Sequence, residues 1–160
     1  GRVALRGLSG LSRGAPPASV GLLGCDPPPG VAEAVDAGSP RMWRLRGKNV
    51  DALPFDAQLP LGMFEDTPYT SEHFQVRPGD RFLIGSDGVY DATSSAGEKY
   101  SERALARALM ATRLLPPAQV PGAVLRELAT YRGESPVDDD ALVVCLDWYG
   151  RTGDGSRPGS

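Results

Sequence analysis

The stretch Arg77-Pro-Gly-Asp-Arg-Phe-Leu-Ile-Gly-Ser-Asp87-Gly-Val-Tyr-Asp-Ala92 decides how this chain is read. Pro78-Gly79-Asp80 is a turn sequence that launches the apolar run Phe82-Leu83-Ile84, and the run gives way to Ser86-Asp87-Gly88. A short unbroken apolar run between turn residues predicts a strand buried on both faces. Asp87 is then a carboxylate at the rim of a buried strand. Such an acid is a fixed oxygen donor, which a hard divalent cation selects. Gly88 is expected to let the backbone turn sharply and approach closely.

A second acidic cluster, Asp138-Asp139-Asp140, runs straight into Ala141-Leu-Val-Val-Cys-Leu146, again the pattern of a buried strand. Adjacent carboxylates repel one another, so a fold that orders them is expected to supply a cation or a basic partner. If the two strands are neighbours in one sheet, their acids can meet at a common edge.

Taken in order, these segments resemble the metal-dependent protein phosphatases, in particular the bacterial branch that includes the stage II sporulation E phosphatases. Ala37-Gly38-Ser39-Pro40 resembles the Ala-Gly-His-Pro turn of that branch, Leu59-Pro60-Leu61-Gly62 its Pro-Leu-Gly element, and Asp139-Asp140-Ala-Leu-Val-Val144 its late acidic strand. The resemblance implies an α+β fold, a partial αββα sandwich of mostly antiparallel strands with two helices. It makes Asp87 the ligand facing both metal ions and Gly88 the residue that gives the backbone room. It assigns the late metal-binding acid to Asp139 or to its neighbour Asp140. Family members use two Mn²⁺ or Mg²⁺ ions to hydrolyse phosphoserine or phosphothreonine, and the implied substrate is a bacterial signalling phosphoprotein such as an anti-sigma factor antagonist.

Two departures qualify that picture. The family's early Asp-Gly motif has no counterpart before residue 37, and Ser39 stands where the branch commonly has His. The chain is therefore expected to correspond to the C-terminal part of such a domain and to hold one ion or none. The alternative to a phosphatase is a catalytically silent module that binds a signalling partner.

Bulk properties exclude other classes. The 160 residues carry a net charge of −3 with both signs dispersed, which leaves no broad basic face for nucleic acid. No apolar run approaches the roughly 20 residues needed to cross a bilayer, so a cytoplasmic protein is the expectation. The two cysteines, Cys25 and Cys145, are far apart and lack metal-ligand spacing; Cys145 reads as a small apolar strand residue.

Residues 1–17 contain no acid and repeated Gly and Pro, so they read as a flexible leader; residues 18–149 form the phosphatase-like domain, and residues 150–160 a flexible tail. Within the domain, residues 19–24 and 31–37 read as a strand pair around Asp26-Pro-Pro-Pro-Gly30, and residues 42–45 as a half-buried strand. Residues 72–76 and 81–86 are expected to pair antiparallel across Arg77-Pro-Gly-Asp80. Leu105, Ala108, Leu109 and Thr112 predict a helix over 101–113 with Ser101 as N-cap. Val120, Val124, Leu128 and Tyr131 predict a second helix, stopped by Gly133. The sole histidine, His73, reads as a solvent-facing strand residue, and Trp43 and Trp148 read as packing residues.

Overall fold

The computed structural model describes residues 30–38, 41–60, 64, 66–134 and 141–150, together with the backbone of residues 2–6 and 20–24. Among the described residues, eight strands form two antiparallel four-stranded sheets. The first has the order β1 (Arg2–Arg6), β2 (Val20–Gly24), β3 (Val31–Ala37) and β6 (Glu72–Gln75). The second has the order β5 (Asn49–Leu53), β4 (Arg41–Arg46), β7 (Arg81–Gly85) and β8 (Val143–Asp147). Four residues after β7 make a short helix α1 (Asp87–Tyr90), followed by α2 (Glu102–Ala111), a 3₁₀ turn over Pro117–Gln119 and α3 (Val120–Arg132).

Period-two alternation along the second sheet builds two cores at once. Met42, Phe82 and Ile84 point between the sheets, where Ala32, Ala34, Phe74, Val144 and Leu146 meet them. Trp43 and Leu83 point the other way, onto Val89, Leu105, Leu109, Val120, Val124 and Leu128 of the helices. The second sheet is thus the middle of three layers. Every residue of β7 is buried, and Leu83 is only 1% exposed. That central position explains why β7 is a continuous apolar run instead of an alternating one. The arrangement is two sheets with a helical layer on one side, the partial sandwich expected.

The helices end where their sequences direct. The Ser101 hydroxyl accepts the amide of Ala104 and caps α2. Pro121 falls in the first turn of α3, and Gly133, at φ +59°, closes it with a left-handed residue that costs a Cβ-bearing side chain strain.

Two expectations differ from the structure, and one strand had no expectation at all. Residues 72–76 and 81–86 do not pair: β6 joins β3 in the first sheet, whereas β7 lies between β4 and β8 in the second. The intervening turn crosses between layers because Asp80 is drawn inward. Its carboxylate takes Nε and Nη2 of Arg46 at 2.7 and 2.6 Å and the amide of Arg77 at 2.8 Å. Phe74 and Phe82 consequently meet edge to face across the layers, with ring centroids 5.7 Å apart. Secondly, Arg2–Arg6, expected in the leader, forms strand β1 against β2, consistent with its alternating Arg-Val-Ala-Leu-Arg sequence. Beyond these, β5 forms through the Gly47–Lys48 turn, with Gly47 at φ +59°, which makes a hairpin with β4 that was not anticipated.

Candidate metal centre

Asp87 sits where β7 leaves the buried middle layer, as the first residue of α1, and it is exposed. Its neighbours fix that position. Gly85 packs so closely that a Cβ there would lie 3.1 Å from the Trp43 ring and 3.4 Å from Cβ of Val89. A larger residue would force apart the strand end and the indole beside it. Ser86 occupies the N-cap position of α1, but its hydroxyl accepts the amide of Leu142 at 2.9 Å instead of capping the helix. The Ser86 amide in turn donates to the Leu142 carbonyl at 3.1 Å. This reciprocal pair ties the end of β7 to the start of β8, and the register Gly85↔Val143 continues it.

The adjacency on which the two-strand argument depended is therefore present. Asp139 and Asp140 lie outside the described residues, but in the sequence they precede Leu142 by three and two positions. Ser39, Pro40 and Leu61-Gly62 also lie outside them. Among the described residues, no three His, Cys, Asp or Glu side chains gather closely enough to hold an ion. The described donor nonetheless fits a hard cation: it is an exposed carboxylate at the start of α1, the oxygen type such an ion selects.

Gly88 is the buried second residue of α1, and its carbonyl accepts Nη2 of Arg132 at 2.6 Å. The sharp change of direction is made by the one-turn helix, which Arg132 anchors from the last turn of α3.

Residues that the sequence did not single out surround the acid. The Tyr90 hydroxyl donates to Oδ1 of Asp87, and the Arg41 guanidinium lies over the Tyr90 ring at 4.1 Å from its centroid. Arg41 also reaches Glu102 at 3.4 Å, while Asp91 pairs with Lys99 at 3.6 Å. Burial, and after it the bond to Asp87, push the Tyr90 phenol well above its usual range. A helical reading of residues 87–90 would have found Tyr90, because positions three apart share a helix face. The sequence reading treated the same residues as a turn and missed it.

The remaining expectations fall into place around this centre. His73 is exposed on β6, and Trp43 is buried in the helix-side core. Trp148 packs against the core between the sheets. Cys145 is a free thiol that burial pushes up to about 11, consistent with a packing role. No described helix is long and apolar enough to cross a membrane.

Comparison with known proteins adds the family. The sequence profile of stage II sporulation protein E (SpoIIE) matches residues 7–149. No curated protein matches the chain. Among solved structures, the SiaA-PP2C domain of Pseudomonas aeruginosa is 23% identical with a TM-score of 0.66, over 81% of this chain and 51% of that one. The SpoIIE PP2C phosphatase domain with a fragment of its regulatory domain, from Bacillus subtilis, is 20% identical with a TM-score of 0.68, over 84% of this chain and 39% of that one. The catalytic domain of the serine/threonine phosphatase PstP, solved in complex with two manganese ions, is 17% identical with a TM-score of 0.57, over 81% of this chain and 58% of that one. This chain spans between 39% and 58% of the length of these structures. The profile match and the structural likeness together lead to one assignment: the chain belongs to the stage II sporulation protein E family and has the fold of PP2C-type phosphatase domains.

Proposed function

We propose that this chain carries the metal-binding edge of a serine/threonine protein phosphatase, with Asp87 and the Asp139–Asp140 pair as its acids. The observation supporting this most directly is the reciprocal Ser86–Leu142 hydrogen bonding, which brings the strand end bearing Asp87 beside the strand that the second acidic run enters. When bound, Mn²⁺ or Mg²⁺ would supply Lewis acidity and an activated water for in-line attack on a phosphoester. The protein's share is positional. β7 and Gly85 fix the Asp87 backbone, Arg132 anchors α1, and the Tyr90 hydroxyl orients one carboxylate oxygen. The proposed substrate is phosphoserine or phosphothreonine on a cytoplasmic bacterial signalling protein of the anti-sigma factor antagonist type.

Ser39, in place of the histidine common to this branch, favours a second reading in which the fold binds a signalling partner without turnover. Mn²⁺-dependent hydrolysis of p-nitrophenyl phosphate by this chain, with Asp87→Asn as control, separates the two. Turnover that the substitution abolishes supports the phosphatase. Turnover equal in both proteins removes Asp87 from the site, and none in either leaves the binding module.

A further inference from the structure

We infer that Tyr90 is a positioning residue for the metal ligand, selecting the carboxylate oxygen that Asp87 presents; this rests on the reading of Asp87 as a ligand. Four observations support it. The phenol donates to Oδ1 of Asp87 from three residues along the same one-turn helix. Its ring is held from two sides, edge to face against the buried Trp43 at 6.4 Å between centroids and beneath the Arg41 guanidinium at 4.1 Å. The helix backbone itself is fixed by Arg132 at Gly88. Finally, Asp87 is exposed, so solvent alone would leave its carboxylate free to rotate.

An exposed aspartate samples several orientations, and a cation must select one. A donor fixed at Oδ1 removes that freedom before the ion arrives and leaves Oδ2 as the available oxygen. Hydrogen bonds to ligating carboxylates commonly change metal affinity by about 10–100-fold. Tyr90 has the geometry for this role because its ring is packed against Trp43 and its hydroxyl meets Oδ1 of Asp87. Arg41 contributes by seating the ring, and its charge is directed to Glu102 as well.

The test is Mn²⁺ affinity, measured by calorimetric titration on the whole chain and on three variants. Tyr90→Phe keeps the ring and its packing while removing the donor. It is expected to weaken Mn²⁺ binding about 10-fold at the lower end of that range, with an unchanged melting temperature. Arg41→Met frees one face of the ring but leaves the hydroxyl, Trp43 and the helix backbone in place, so its loss is expected to be clearly smaller than that of Tyr90→Phe. Asp87→Asn is expected to lose binding. Wild-type affinity in Tyr90→Phe alongside lost binding in Asp87→Asn overturns the role of Tyr90 alone. An equal loss in Tyr90→Phe and Arg41→Met also overturns it, because local charge or packing would then explain both. Wild-type affinity in Asp87→Asn, or no binding by the wild-type chain, removes the ligand assignment and the inference together.

Discussion

Asp80 is 1% exposed on its side chain, yet it carries a charge, and its partners explain how. Burial alone would raise its pKa. The fork of Arg46 and the Arg77 amide outweigh that and hold it below the ordinary carboxylate range. A depressed folded-state pKa contributes stability that is present above the unfolded value, about 3.9 for Asp, and is lost as pH falls through the folded value. Urea unfolding of the wild-type chain is therefore expected to weaken steeply below about pH 4. In Asp80→Asn that slope should be shallower, with a loss of about 2–4 kcal/mol at neutral pH from the stranded Arg46. Parallel pH profiles for the two proteins would show that the pair does not carry this linkage. Asp87 shows how far residue-level reading reached. Its place at a strand rim was legible from Phe82-Leu83-Ile84, because burial writes itself as composition. Its hydrogen-bond partner was missed because residues 87–90 read as a turn, whereas the one-turn helix brings Tyr90 onto Asp87; Arg41, which lies over the Tyr90 ring, comes from a strand more than forty positions upstream.

At the scale of elements, one side chain joins the layers. The Arg81 guanidinium grips Asp147 on the neighbouring strand at 2.6 and 2.8 Å and donates to the carbonyls of Thr112 and Leu115, both at 2.8 Å. A cation at the end of α2 also complements the helix dipole there. The pair is largely buried, so removing one partner strands the other; Arg81→Met is expected to cost about 3–5 kcal/mol in urea unfolding. A cost under about 1 kcal/mol, the median for exposed pairs, would mean that the helices dock without it. The helices and the buried strands were legible because periodicity, caps and apolar runs are local signals. Strand partnership was not. Residues 72–76 and 81–86 look like a hairpin in sequence, and what separates them is the inward pull of Arg46 on Asp80, a contact across 34 positions. The hairpin of β4 and β5 escaped notice for another reason: Asn49–Leu53 is half exposed and lacks an apolar run.

For the molecule as a whole, the three layers place the end of β7 at an exposed edge, with Leu142 tied beside it. A cation bound there binds the folded chain only, so it should raise stability by mass action, about 2.7 kcal/mol at a hundred times its dissociation constant. The measurement that reaches the central claim most directly is calorimetric titration of Mn²⁺ into this chain and into Asp87→Asn, with the melting temperature of each recorded. The account predicts saturable binding and a Mn²⁺-dependent rise in melting temperature for the wild type. Asp87→Asn should lose both while melting at the same temperature as the metal-free wild type. Identical Mn²⁺ isotherms for the two proteins would contradict it and place the ion, if one is bound, away from the end of β7.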